Sequence, residues 1–122
     1  MKPILLCYPK CSTCAKCVKW IEEQGIEFTI RHIVEDNPTA NELKEWIAKS
    51  GLPIRRFFNT SGIKYRELGL KDRVATESDD VLIELLASDG MLVKRPLLIS
   101  SNKVIPGFKI TEYEIELNTS NE

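Results

Sequence analysis

Apolar and polar positions change period several times along the chain, and each change marks an element. Ile4-Leu5-Leu6-Cys7-Tyr8 is a continuous apolar run ended by Pro9, the pattern of a strand buried on both faces. From Thr13 to Gln24, Cys14, Cys17, Val18 and Ile21 recur at helical spacing opposite Lys16, Lys19 and Glu23, and Gly25 supplies a stop. Alternation follows over Glu27-Phe28-Thr29-Ile30-Arg31-His32: Phe28, Ile30 and His32 share one face, and Glu27, Thr29 and Arg31 the other. Strand, helix and strand in that order make a βαβ unit.

Thr39 and Glu42 form a capping-box pattern ahead of Leu43, Trp46 and Ile47, with Gly51 as the stop, which predicts a second helix. Residues 52–76 are broken by Pro53, Gly62 and Gly69 and read as brief helices. Ser78 opens a longer helix carrying Leu82, Leu85 and Leu86, closed by Asp89-Gly90. Leu97-Leu98-Ile99 and Lys103-Val104-Ile105 flank Ser100-Ser101-Asn102 as a hairpin, and Thr111 with Glu114 reads as the cap of a terminal helix. A small sheet covered by helices is the α/β layout, with its crevice beyond the carboxyl end of the first strand, where Cys11 falls.

Composition narrows the classes. At 122 residues and 43% hydrophobic content, residues 1–122 read as one soluble domain. Seventeen basic residues against eighteen acidic ones leave a net charge of −1, so no global field draws the chain to nucleic acid or an anionic membrane. No apolar run approaches the ~20 residues of a membrane span. The expected location is the cytoplasm, without membrane or direct nucleic-acid contact.

All four cysteines, Cys7, Cys11, Cys14 and Cys17, lie near the start of the chain. Bridges among such neighbours close short loops and stabilise least, so chemistry is a better reason for the clustering than a disulfide scaffold. Cys11-Ser12-Thr13-Cys14 is a C-x-x-C on a strand-to-helix turn, a redox pattern in this setting. Cys11 precedes the first helical turn, where unpaired N–H groups and the helix dipole favour a thiolate, and Cys14 lies within that turn. Cys11 therefore reads as the nucleophile and Cys14 as the resolver. Cys14 and Cys17 sit at i,i+3, where Cβ atoms are about 5–6 Å apart, beyond the ~3.5–4.5 Å of a disulfide. Cys7 and Cys17 read as core packing, with Cys17 as a backup thiol the sharper alternative.

Two further features bear on chemistry. Arg95-Pro96 directly precedes the third strand; a cis bond there would bring a guanidinium to the rim of the crevice as an oxyanion ligand, whereas the plainer alternative is an edge-strand start with Arg95 solvated. His32, the sole histidine, reads as a partly buried structural imidazole.

Tyr8-Pro9-Lys10-Cys11-Ser12-Thr13-Cys14, Phe58-Asn59-Thr60-Ser61-Gly62, Tyr65-Arg66-Glu67-Leu68 and Lys94-Arg95-Pro96 with its hairpin, in this order, resemble the arsenate reductase/Spx family. The resemblance implies a thioredoxin-like fold with a small mixed four-stranded sheet and a helical insertion over about 37–90. It implies Cys11 as attacking thiol, Pro96 in cis, and Arg95 as anion ligand within a set that includes Lys10, Ser12, Thr13 and Pro96. The implied activity is reduction of an oxyanion, arsenate among them, or of a protein disulfide. Electrons would come from glutathione and glutaredoxin or from thioredoxin, with no bound cofactor and no metal. Of the three arginines in glutaredoxin-linked arsenate reductases only Arg95 matches; Asn59 and Pro106-Gly107 stand where the others would be. Cys14 moves the resemblance toward the C-x-x-C-bearing Spx-like and arsenate reductase-like branches, with an internal disulfide as the resting oxidised state.

The Spx-like branch implies a different function, a redox-sensing transcriptional regulator that binds the C-terminal domain of the RNA polymerase α subunit. Arg55, Arg56, Lys64, Arg66, Lys71 and Arg73 against Glu67 and Asp72 give residues 55–73 a local excess of four positive charges, either a docking face or a solvated one. A third reading takes Cys7-x-x-x-Cys11-x-x-Cys14 as thiolate ligands of iron or zinc, with Cys17 as the fourth.

Overall fold

The computed structural model describes residues 2–120. Along the chain run β1 (Ile4–Cys7), α1 (Ser12–Glu23), β2 (Thr29–His32), α2 (Ala40–Ser50), α3 (Ile63–Glu67), α4 (Leu70–Thr76), α5 (Asp79–Ser88), β3 (Leu97–Ile99), β4 (Val104–Pro106) and α6 (Ile110–Ser120). Short 3₁₀ turns at Ile54–Phe57 and Gly90–Leu92 complete the helical segments. The chain groups into two compact units, one holding residues up to His32 and from Arg95 onward, the other Ile33–Lys94.

The first unit contains the whole sheet, in the order β2-β1-β3-β4. β1 pairs parallel with β2 and antiparallel with β3, and β3 pairs antiparallel with β4. The sheet is mixed because a helical crossover returns β2 parallel to β1, while a tight turn after β3 forces β4 to run back. Register places Leu5 opposite Leu98 and Leu98 opposite Ile105, so one apolar row crosses three strands. That row packs with Cys14, Cys17 and Ile21 of α1 and Tyr113 and Leu117 of α6. Each such aliphatic side chain contributes about 1.5–3 kcal/mol on burial. Tyr113 is fully buried, and its hydroxyl donates to the Gly107 carbonyl at 2.7 Å. On the same helix Glu116 accepts from the Ser100 hydroxyl at 2.7 Å, a buried pair tying α6 to the end of β3.

Two local expectations shift. Helix α6 begins at Ile110, with the Tyr113 N–H bonded to the Lys109 carbonyl at 2.9 Å, so Thr111 lies inside the helix rather than capping it. Burial of Tyr113 sets this start, overriding the local Thr-x-x-Glu pattern. Ile30 is 54% exposed: alternation fixes which way a strand residue points but not whether anything covers it.

In the second unit, Thr39 makes the full capping box with Glu42, and Gly51 closes α2 at φ 68°, a left-handed conformation that suits glycine. Helix α2 packs on α5, which Ser78 caps. Phe58 and Val93 form an isolated antiparallel bridge, and the Lys94 N–H donates to the Phe57 carbonyl at 2.8 Å. Among the described residues no helix is long and apolar enough to cross a membrane.

Candidate functional site

The site grows from the turn between β1 and α1. Proline at position 9 presets the backbone for a turn, which the Cys11 N–H closes on the Tyr8 carbonyl at 3.0 Å. Cys11 is the N-cap of α1, with extended backbone and no side-chain cap, and its carbonyl accepts from the Ala15 N–H at 3.1 Å. Its side chain is half-buried, whereas Cys14, one turn on, is only 2% exposed. Lys10, Ser12 and Thr13 are exposed around them.

Cys14 is the sulfur whose surroundings favour negative charge: Cys7, the Tyr8 main chain, the Cys11 side chain and the charge of Arg95 all act in that direction. Together, with Cys7 foremost, these outweigh burial and bring Cys14 down to about 6. Cys7 is held above the ordinary thiol range, first by its interaction with Cys14 and then by burial. Cys17 is different: burial pushes it up to about 12, and its neighbour is the Tyr113 hydroxyl.

The Arg95-Pro96 bond is cis, with Pro96 buried and its carbonyl accepting from the Gly107 N–H at 2.8 Å. The Arg95 guanidinium lies over the Tyr8 ring, 5.3 Å from its centroid. Tyr8 also meets His32 edge-on, with ring centroids 6.1 Å apart. Beside the sulfurs is a cavity of about 500 Å³, with Cys7 and Cys14 in its lining together with Ala15, Val18, Ile30 and His32.

Of the residues singled out in the sequence, Cys11, Cys14 and Arg95 thus come together with Lys10, Ser12, Thr13 and Pro96 in the first unit. Asn59 lies in the second unit, where its N–H donates to the Leu92 carbonyl at 2.8 Å. Two of the six cations in residues 55–73 are paired: Lys64 with Asp89 at 2.9 Å and Arg73 with Glu77 at 3.0 Å. Among the described residues no three His, Cys, Asp or Glu side chains are disposed to hold a metal ion. Sequence reasoning missed the partnership of Cys7 with Cys14. The available signal was parity: Cys7 shares a strand face with Leu5, the face on which the Cys14 side of α1 packs.

A thioredoxin-like α/β domain with two cysteines one helical turn apart at a strand-to-helix turn and an arginine beside them defines a recognisable class. The ArsC family model matches residues 6–115, and the chain belongs to that family. The uncharacterized protein YusI of Bacillus subtilis is 54% identical over 88% of this chain and 91% of its own length. The regulatory protein MgsR of the same organism is 30% identical over 83% of this chain and 79% of its own. The arsenate reductase of Escherichia coli is 34% identical over 75% of this chain, which spans 64% of that enzyme. Among solved structures, an ArsC family related protein from Bacteroides fragilis matches with a TM-score of 0.91 at 52% identity, covering 94% of this chain and 97% of that one.

Proposed function

We propose that this protein is a thiol–disulfide oxidoreductase in which Cys11 attacks and Cys14 resolves. The observation that carries the reading is the difference in access between two sulfurs one helical turn apart. Half-buried Cys11 can meet a substrate, and Cys14, 2% exposed, can meet only what Cys11 has already bound. As Cys11 attacks a substrate disulfide as its thiolate, the substrate S–S bond breaks, one substrate thiolate leaves, and a mixed disulfide forms. The Cys14 thiolate then attacks the Cys11 sulfur, the mixed disulfide breaks, the second substrate thiolate leaves with its electron pair, and the internal disulfide closes. Two electrons from an external thiol donor, glutathione with glutaredoxin or thioredoxin, reopen it. An oxyanion such as arsenate would enter at the same sulfur, with Arg95 as the charge partner and Lys10, Ser12 and Thr13 at the rim.

The test is a donor-coupled assay offering arsenate and a protein disulfide separately to the wild type, Cys11→Ser and Cys14→Ser. Turnover on at least one substrate, abolished in Cys11→Ser and arrested as a trapped mixed disulfide in Cys14→Ser, is the expected result. Equal activity of the wild type and Cys11→Ser removes the assignment.

The similarity to MgsR favours a second reading, a redox-sensing regulator that docks on the α subunit of RNA polymerase. Association with that polymerase in pull-down, gained or lost on oxidation and without donor-dependent turnover, selects it over the enzyme.

A further inference from the structure

Tyr8, the first residue beyond β1, takes no part in the redox steps, yet the sheet sets it between two of its neighbours. β1 is an inner strand, with β2 on one side and β3 on the other. Its parallel register with β2 ends at Cys7 opposite His32, and its antiparallel register with β3 ends at Leu6 opposite Leu97. Continued two residues further, the second register sets Tyr8 across from Arg95. The side chains meet there. The Arg95 guanidinium lies over the Tyr8 ring, 5.3 Å from its centroid, and His32 meets the same ring edge-on with centroids 6.1 Å apart. The Tyr8 main chain belongs to the nucleophile's turn, since its carbonyl accepts from the Cys11 N–H at 3.0 Å. One half-buried residue thus joins the cation to the turn that carries the attacking sulfur. Fixing an arginine side chain costs much rotamer freedom. An aromatic face that attracts the guanidinium offsets that cost, and it does so without consuming the in-plane N–H donors that an anion needs.

We infer that Tyr8 is a positioning residue of this site: its ring holds the Arg95 guanidinium in the orientation that draws a negatively charged disulfide to Cys11. The inference rests on the oxidoreductase reading and deepens it, by naming the side chain behind a preference for anionic substrates. In the step concerned, the Cys11 thiolate attacks one sulfur of the disulfide, that S–S bond breaks, a mixed disulfide forms, and the electron pair leaves with the other sulfur. A carboxylate near that disulfide repels the incoming thiolate, and a fixed cation beside both offsets the repulsion. Tyr8 exchanges no proton or electron; it acts only through Arg95. Lys10, exposed on the same turn, also attracts anions, and its share stays the same in every Tyr8 variant.

The experiment measures how fast the reduced full-length protein reacts at neutral pH with dithiobis(nitrobenzoate), which carries carboxylates, and with dithiodipyridine, which is neutral. The fast phase should belong to Cys11 and vanish in Cys11→Ser, because Cys7, Cys14 and Cys17 are buried. Taking the ratio of the two rates removes changes in thiolate fraction, since both reagents draw on the same sulfur. Tyr8→Leu should lower that ratio by about two- to fivefold, the size of a cation–π contact at a partly exposed site, while Tyr8→Phe, which keeps the ring face, matches the wild type. Arg95→Gln should lower it at least as far, and adding Tyr8→Leu to Arg95→Gln should lower it no further. An unchanged ratio in folded Tyr8→Leu overturns the inference; Tyr8→Gln repeats the comparison if Tyr8→Leu does not fold. So does an equal fall in Tyr8→Phe, which would place the effect outside the ring, or a full further fall in the double variant, which would make it independent of Arg95. Neither reagent is a physiological substrate. A protein inert in the donor-coupled assay that shows this pattern loses the enzyme reading and keeps the inference, and one that turns over with an unchanged ratio does the reverse.

Discussion

The Arg95 guanidinium rests over the ring of Tyr8, 5.3 Å from its centroid, while the Tyr8 main chain favours negative charge on the sulfur of Cys14. One residue therefore seats the cation and helps hold the thiolate that the cation favours. Lysine in place of Arg95 would keep the charge but lose the planar stack and the forked donors. Arg95→Gln should raise the pH at which Cys14 ionises, because a favourable charge is gone. It should also lower kcat/KM for an anionic substrate by about 10- to 100-fold, the size of a lost charge-assisted hydrogen bond. Arg95→Lys should fall between. Steady-state kinetics with a charged and a neutral disulfide separates the two effects, since loss with the neutral substrate alone would contradict a role in anion binding.

Stability of the reduced protein should depend on pH through the same sulfur. Cys14 is lowered to about 6 from the ordinary 9.0, so between these values the unfolded chain holds a proton that the folded one has released. Stability then rises with pH across that window, by up to about 1.4 kcal/mol per pH unit, and the gain is lost as pH falls through 6. Above pH 9 the sign reverses, because Cys17, raised to about 12, and Cys7, raised further, stay protonated in the folded state while their unfolded counterparts ionise. Urea unfolding under a thiol-free reductant at several pH values, repeated with Cys14→Ser, checks both limbs; the variant should lose the rising one.

A glycine far from the sulfurs in sequence should tolerate no side chain. A Cβ built on Gly90 runs into the backbone carbonyl of Ile33, with Val34 Cα also inside contact distance. Backbone cannot rotate away as a side-chain tip can. Gly90→Ala should cost about 1–3 kcal/mol, read as a lower urea midpoint at unchanged slope.

Breaking the buried link between α6 and the sheet should also be costly. Ser100→Ala removes the hydroxyl that donates to Glu116 at 2.7 Å and takes one donor away from a buried carboxylate. A loss of about 1–3 kcal/mol is expected, and Ser100→Thr, which keeps the hydroxyl, should recover part of it. Equal unfolding midpoints for Ser100→Ala and the wild type would show that the hydroxyl contributes nothing net.

Much of the fold is legible where the signal is local. The Thr39–Glu42 capping box forms as expected because both partners lie within one turn and need nothing from elsewhere. The apolar run at Ile4–Cys7 becomes an inner strand, and the hairpin around Ser100-Ser101-Asn102 closes between β3 and β4. The start of α6 was not legible, since Thr111 carries a valid cap pattern that the burial of Tyr113 overrides. Cys7 and Cys17 looked alike in one dimension, both apolar positions near a C-x-x-C. Only the packing of α1 on β1 puts one of them against Cys14 and the other beside Tyr113.

Sequence by itself determined the order of the elements, the placing of two cysteines one helical turn apart, and an arginine before the third strand, because periodicity, caps and prolines act over a few residues. Tertiary structure decided which sulfur has surroundings that favour negative charge and that residue 95 reaches the turn after residue 7. Those are meetings of segments nearly ninety positions apart or on different elements, and no short-range pattern encodes the distance between groups that only the folded sheet brings together.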